Sequence, residues 1–290
     1  MGAREVPSDC GHPSRVENEA AAGAEESPRQ VALRGVKRAQ EAVRVLEEYV
    51  RGTSSVAARE LSEVRYALYE AEQWLVLGSE QARRLGQACL YVLLSEAQCA
   101  LGLERTARAA LAGGAGVLQL REKALDGGAY AERARRLREL CEEHGAALIV
   151  NDRADVALAA GAAGVHLGQT DLTPAAVRGW AGERLLIGRS THSLAQARRA
   201  VEEEGADYVA VGAMYATATK PGFELAGPAL AREVLAQGWS VPVFAIGGIT
   251  AERARELRAL GVRQVAVSGA VASAADPARA AREICEALKA

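Results

Sequence analysis

The sequence predicts an α/β protein: a TIM-type (β/α)8 barrel carrying an N-terminal α-helical hairpin. Three observations predict it. From residue 89 onward, short apolar runs alternate eight times with amphipathic segments, over the roughly 200 residues that a small barrel of this class needs. Glycines stand where the intervening helices must end, at Gly145, Gly161, Gly205, Gly238 and Gly261. Polar residues gather just after the apolar runs, at the strand ends where such barrels place their sites. A doubly wound open sheet is the structural alternative. Eight repeats and the lack of a GxGxxG turn after the first strand weigh against it.

Residues 1–28 mix Gly, Pro, Ser, Glu and Ala without periodicity, which predicts a disordered tail. Residues 29–85 predict the hairpin. Val36, Ala39, Val43, Leu46 and Val50 form one apolar stripe, and Leu61, Val64, Leu68, Ala71 and Leu75 a second. Gly52-Thr53-Ser54-Ser55 supplies the turn and a cap for the second helix. Such a hairpin cannot bury its stripes alone, so it must pack on the rest of the chain or on another subunit. Residues 86–290 predict the barrel. Strands are expected at Cys89–Leu94, Val117–Arg121, Ala147–Asn151, Gly164–Leu167, Leu185–Gly188, Tyr208–Gly212, Val243–Ile246 and Gln264–Val267. Helices are expected at Gly128–His144, Ala154–Ala160, Leu194–Glu204, Pro228–Gln237, Glu252–Leu260 and Pro277–Leu288.

The chain has 290 residues, about half of them hydrophobic, and a formal net charge of −2. Near-neutral charge implies no general attraction to nucleic acid or anionic membrane. No apolar run approaches the roughly 20 residues that span a bilayer, and the polar N-terminus does not read as a signal peptide. Cys10, Cys89, Cys99, Cys141 and Cys285 are odd in number and contain no CxxC pair. They suit neither a disulfide framework nor a zinc site, and point to a cytoplasmic protein with reduced thiols.

Within Val117-Leu118-Gln119-Leu120-Arg121-Glu122-Lys123, alternation puts Gln119, Arg121 and Lys123 on one side of a strand and Leu118 and Leu120 on the other. Burying an amide and two cations costs several kcal/mol each unless something anionic or polar receives them, so a ligand bearing phosphate is expected. Asp152 and Asp171 follow adjacent strands, whose axes lie about 4.8 Å apart. Two carboxylates that close repel unless a cation or a proton sits between them, and beside basic groups and phosphate the expected cation is Mg²⁺. The bland alternative is that Asp171 caps the helix near Thr173-Pro174 and Asp152 pairs with Arg153. Gly247-Gly248 and Ser268-Gly269 offer backbone amides for a second anion. Thr217, Thr219 and Lys220 sit on the loop after the sixth strand, which reads as a mobile lid. His166 reads as a satisfied core histidine.

Seven segments together resemble the thiamine-phosphate synthase (thiamine-phosphate pyrophosphorylase) family. They are Gln119-Leu-Arg-Glu-Lys123, Val150-Asn-Asp152, Gly164-Val-His-Leu-Gly-Gln-Thr-Asp171, Gly188-Arg-Ser-Thr191, Thr217-Ala-Thr-Lys220, Ile246-Gly-Gly-Ile249 and Val267-Ser-Gly269. They occur in family order over about the last 200 residues of the chain. The resemblance implies a transferase. It joins 4-amino-2-methyl-5-pyrimidinylmethyl diphosphate to a thiazole phosphate, releasing pyrophosphate. It also implies roles. Gln119 would bind the pyrimidine. Arg121, Lys123, Asn151, Ser190 and Lys220 would bind diphosphate, with Arg121, Lys123, Ser190 and Lys220 catalytic. Asp152 and Asp171 would hold Mg²⁺. Thr217, Thr219, Gly248, Ser268 and Gly269 would bind the thiazole phosphate, and Leu120, Glu122 and Ala218 would line the substrates as members of the same motifs. A homodimer is the common family state.

Two other readings are set against this one. A thiazole tautomerase paralogue would carry a catalytic His directly after Gly212, where this chain has Ala213, and would lack Asp152 and Asp171. A non-catalytic phosphate-binding barrel is the third. The hairpin, through Gln40–Tyr49 and Arg65–Tyr69, resembles the end of a helical domain fused to some synthases and linked to pyrimidine-phosphate phosphorylation. No Gly-rich phosphate loop is visible in it, so the expected role is packing or dimer formation.

Overall fold

The computed structural model describes residues 28–216 and 225–289. The expected tail, and the lid residues Thr217, Ala218, Thr219 and Lys220, lie outside the described residues. The chain opens with two long helices, α1 (Pro28–Val50) and α2 (Ser55–Gln87). Ser54 caps α2 by accepting a hydrogen bond from the Ala57 amide at 3.3 Å. Eight parallel strands then close into a barrel in sequence order. They are β1 (Leu90–Leu94), β2 (Val117–Leu120), β3 (Ala147–Asn151), β4 (Gly164–Leu167), β5 (Leu186–Thr191), β6 (Tyr208–Gly212), β7 (Val243–Ile246) and β8 (Val265–Val267). The surrounding helices are α3 (Leu103–Ala112), α4 (Gly127–Glu143), α5 (Ala154–Ala160), α6 (Pro174–Ala181), α7 (Leu194–Arg198), α8 (Gly227–Leu235), α9 (Ala251–Ala259), α10 (Gly269–Ala272) and α11 (Pro277–Lys289). The five glycines expected to end helices all have left-handed φ, between 66° and 93°.

Strand parity splits the core into two layers. Outward residues such as Leu118, Leu120, Val150, Val165 and Val209 pack against the helices. Inward residues form a smaller cluster of Tyr91, Val117, Ala147, Ile149, Leu186, Tyr208, Phe244 and Ala266. The last turn of α2 closes this inner cluster, with Leu85 1 % exposed against it. Gln264 fixes that turn by donating from Nε2 to the carbonyls of Leu85, Gly86 and Ala88 at 2.9–3.2 Å. These carbonyls belong to a helix end, where intrahelical partners run out. Helix α2 runs unbroken across residues 85 and 86, where the sequence suggested a boundary.

Four local expectations are corrected. Strand β2 ends at Leu120, so Arg121 and Lys123 sit on the following loop rather than in the strand. Arg121 still donates its amide to Leu94 O at 2.8 Å, but Glu122 then turns aside to accept from the Glu96 amide and from Arg133. Strand β5 runs on to Thr191, because its ladder with β6 continues through Ser190 and Thr191. The helix expected over Leu194–Glu204 breaks after Arg198 into a π turn, with Glu204 ion-paired to Arg199 at 2.9 Å. In the hairpin, Leu46 and Val64 are about half exposed, whereas Gln40 and Glu47 are buried in the seam. The seam is therefore partly polar. Gln40 donates to Leu68 O and to Glu72, and Glu47 pairs with Arg51 and Arg65.

Candidate active site

Most of the described candidate residues gather at the C-terminal mouth of the barrel, built up from the inner layer. Gln119 faces inward on β2 at 1 % exposure. Its Nε2 donates to Tyr91 Oη at 2.7 Å, and its Oε1 has no partner. From Tyr91 a chain of hydrogen bonds crosses the lumen. Tyr91 and Tyr208 hydroxyls meet at 3.2 Å, Tyr208 meets His166 Nδ1 at 3.1 Å, and His166 Nε2 meets Ser190 Oγ at 2.9 Å. Burial holds both tyrosines in the neutral form, pushing their pKa values up. Gly188 makes room for this chain. A methyl group there would stand 2.0 Å from Tyr208 Cζ.

Above this layer lie the charged groups. Asn151 ends β3 and is buried, and Asp152 follows it with φ 62°, the one left-handed non-glycine among the described residues. Such a backbone costs on the order of 1–3 kcal/mol and clusters at functional sites. The Asp152 carboxyl group lies close enough to Asp171 to be affected by its charge. Burial first, and then Asp171, push Asp152 up to about 6, with Arg121 and Lys123 pulling the other way. Neither bland alternative describes these carboxylates. Thr173 is the cap of α6, and Arg153 pairs with Asp155. Asp171 instead accepts from the Gly168 amide at 2.7 Å. The loop that carries it is pinned from behind by Arg189, which donates to the carbonyls of Gly168 and Leu172 at 2.7 and 2.9 Å.

Two hard oxygen donors under mutual repulsion, beside cations that attract phosphate, fit Mg²⁺. Among the described residues no group of three or more His, Cys, Asp or Glu side chains is placed to hold a metal ion by itself, so water and substrate oxygens would complete the coordination shell. Across the mouth, Gly247 and Gly248 have φ 107° and 62°. A Cβ on Gly248 would stand 2.6 Å from Ala216 O, so only glycine permits this close approach. The Ser268 hydroxyl is engaged with Leu93 O and Gln98, leaving the backbone amides at the start of α10 as the groups that could meet an anion.

Not every expected contact faces the mouth. Leu120 points outward into the helix-packed layer, and the Glu122 carboxylate is engaged by Glu96 N and Arg133. Sequence reasoning missed Tyr91 and Tyr208, and it marked Gly188 and Arg189 only as motif members without giving them a role. The first two read as apolar strand residues. Their inward parity with Gln119 was the available signal.

The "Thiamine monophosphate synthase" family model matches residues 90–271, and the "ThiD2 family" model matches residues 1–74. A thiamine-phosphate synthase of a Synechococcus strain is 42% identical over 256 residues, 87% of this chain and 72% of that protein. One from Gloeobacter violaceus is 41% identical over 281 residues, 96% of this chain and 79% of that protein. The solved thiamine phosphate pyrophosphorylase of Pyrococcus furiosus superposes with a TM-score of 0.64 at 34% identity, covering 71% of this chain and 97% of that one. With its barrel geometry, its motifs and these relatives in agreement, the chain belongs to the thiamine-phosphate synthase family.

Proposed function

We propose that this chain joins 4-amino-2-methyl-5-pyrimidinylmethyl diphosphate to a thiazole phosphate, giving thiamine phosphate and pyrophosphate. One observation carries the reading. In a barrel of this family, an unpaired buried amide oxygen on Gln119 lies below a mouth where Arg121 and Lys123 attend the Asp152–Asp171 pair. Gln119 Oε1 accepts a hydrogen bond from the pyrimidine amino group, since its Nε2 is already held by Tyr91. Arg121, Lys123, Asn151 and Ser190 bind the diphosphate oxygens. The C–O bond breaks with its electron pair passing to the diphosphate, and the aminopyrimidine ring spreads the positive charge. The thiazole nitrogen lone pair then forms the C–N bond, so no proton need move and no strong base is required.

The fixed donors thus act on charge that develops as the leaving group departs, where preorganised electrostatics contribute most. Backbone amides at Gly248 and Gly269 hold the thiazole phosphate and keep its ring in line for attack. Thr217, Ala218, Thr219 and Lys220 complete this reading as a closing loop. Asp152 and Asp171 would hold Mg²⁺, which when bound neutralises the leaving diphosphate. The working unit is a cytoplasmic homodimer acting on small molecules. Among the described residues no helix is long and apolar enough to cross a membrane.

The test is release of pyrophosphate and thiamine phosphate by the purified chain, with each substrate and Mg²⁺ omitted in turn. Product is expected only when all three are present. Isomerisation of a thiazole carboxylate in place of coupling would assign the chain to the tautomerases. Substrate binding without turnover would make it a non-catalytic barrel.

A further inference from the structure

Arg121 and Lys123 are separated by an acidic residue, Glu122, on the short loop between β2 and α4. A carboxylate between two cations that await a diphosphate works against them unless something neutralises it. Both cations pull on the Asp152 carboxyl, so both reach the mouth. The Glu122 side chain goes another way. Its Oε1 accepts from the Glu96 amide at 2.8 Å and from Arg133 Nη1 at 3.0 Å, and the same nitrogen of Arg133 lies 3.4 Å from the Glu96 carboxylate. The Glu122 side chain is 12% exposed and that of Arg133 30%, so water screens this pair less than an open surface pair. Helix α4 supplies the other half of the clamp. Asp126 caps it just after the loop, accepting from the Ala129 amide at 2.8 Å. Tyr130 and Arg133, at i and i+3, share one face of the helix. Tyr130 Oη donates to Leu120 O at 2.8 Å, with Asn151 O at 3.2 Å, and accepts from the Glu122 amide at 3.5 Å. Tyr130 thus ties the ends of β2 and β3 to the loop, and Arg133 ties the loop to the turn after β1.

We propose that Glu122 and Arg133 are a positioning pair for the cations that bind diphosphate. The proposal rests on the function proposed above and gives a role to Arg133, which lies outside every motif that the sequence singled out. The pair acts in two ways. Drawing Glu122 toward α4 and the turn after β1 fixes the backbone on both sides of it, and so the points from which Arg121 and Lys123 extend. The Arg133 guanidinium also cancels a carboxylate that is covalently adjacent to both cations. Without Arg133, the Glu122 charge would repel an arriving diphosphate and compete with it for Arg121 and Lys123. Neither residue touches substrate, and both act through Arg121 and Lys123. A surface ion pair with no such task would alter stability slightly and leave anion binding unchanged.

The experiment compares the full-length wild type with Arg133→Met and with the Arg133→Met/Glu122→Gln double variant. Calorimetry reads the Kd of inorganic pyrophosphate in the presence of Mg²⁺, and steady-state kinetics read each substrate in turn. Arg133→Met is expected to weaken pyrophosphate about tenfold, the scale of one charge-assisted contact. It is expected to lower kcat/KM for the pyrimidine diphosphate by a similar factor, with KM for the thiazole phosphate within about twofold of wild type. The double variant is expected to bind pyrophosphate more tightly than Arg133→Met, because the uncompensated carboxylate is gone while the side-chain oxygen still accepts from the Glu96 amide. An unchanged pyrophosphate Kd in Arg133→Met, or a double variant no tighter than it, overturns the proposal, and wild-type turnover then leaves the proposed function standing. Equal losses for both substrates with a lowered melting temperature would make the pair structural and overturn it too. A wild type that binds pyrophosphate, responds to the substitutions as expected and yet forms no thiamine phosphate would keep the pair and remove the function. A wild type that binds no pyrophosphate overturns both.

Discussion

The Tyr208 hydroxyl is shared by two candidate substrate positions. Through Tyr91 it orients Gln119, and through His166 it orients Ser190. Removing it takes one hydrogen bond from each of two buried partners, which keep their bonds to Gln119 and Ser190, and each lost bond costs about 1 kcal/mol. Tyr208→Phe keeps the ring and its packing on Phe244. Denaturant titration is expected to show a loss of about 2 kcal/mol. Steady-state kinetics are expected to show a higher KM for the pyrimidine diphosphate, with a smaller change for the thiazole phosphate. Equal changes for both substrates would reduce Tyr208 to a structural residue. Gly188 shows why this chain was hard to read from sequence. The motif Gly188-Arg-Ser marks the position, but only the inward direction of the β5 and β6 side chains shows that the glycine makes way for Tyr208.

A second residue-scale feature lies at the opposite end of the barrel. The Cys89 thiol, just before β1, lies beside Cys285 on α11, and that neighbour brings Cys89 down to about 6 while Cys285 is pushed up. The pair thus gives up one proton early and holds the other late. Between about pH 6 and pH 9 the folded pair binds fewer protons than the unfolded chain, so stability rises with pH across that window and is lost as pH falls through 6. Above the ordinary thiol value of 9 the unfolded chain releases both protons while Cys285 keeps its own, so the sign reverses. Cys89→Ser is expected to flatten this profile in thermal melts taken from pH 5.5 to 10. A wild-type melting temperature that falls between pH 6 and 9 by an amount dependent on Cys89 would refute the assignment.

Among the elements, the β4–α6 loop was the least legible. Its sequence, Gly168-Gln-Thr-Asp171, announced a carboxylate but not what holds it in place. Arg189 lies on the outward side of β5, 1 % exposed, and reaches around to two carbonyls of that loop. Desolvation lowers its pKa, and Glu204 at 3.7 Å partly compensates. Both bonds leave one terminal nitrogen, Nη1, so a lysine could match them only if its shorter side chain carried the ammonium to that spot, and it would lose the Nε approach to Glu204. Arg189→Lys is expected to raise the Mg²⁺ concentration for half-maximal turnover about tenfold, within the range for loss of an outer-shell contact, while the chain stays folded. An unchanged Mg²⁺ response would separate the loop from the metal. The strands, by contrast, were legible because buried parallel strands read as apolar runs, and four of the eight matched their expected limits. The hairpin seam was not. Apolar periodicity ranks Leu46 above Gln40 and Glu47, yet Glu72, Arg51 and Arg65 give the polar pair partners that make burial tolerable.

On the scale of the whole molecule, the barrel floor and mouth divide stability from chemistry. Helix α2, Gln264 and the inner aromatic cluster close one end, and the opposite end gathers polar groups from four successive βα units. That division makes a clean test of the anion pocket possible, because Asp171 can be altered without touching the core. Its carboxylate accepts from the Gly168 amide, a bond that Asn can retain through its own oxygen while losing the charge. Asp171→Asn is therefore expected to fold normally and to relieve Asp152, whose pKa falls towards the ordinary carboxylate range once the neighbouring charge is gone. Turnover is expected to drop by about a hundredfold or more. Thermal shift gives a readout independent of catalysis. Mg²⁺ with inorganic pyrophosphate is expected to raise the melting temperature of the wild type through mass action and to leave the variant nearly unmoved. If the variant were stabilised as fully as the wild type, Asp171 would have no part in metal binding. The cations Arg121 and Lys123 would then hold the diphosphate without that carboxylate.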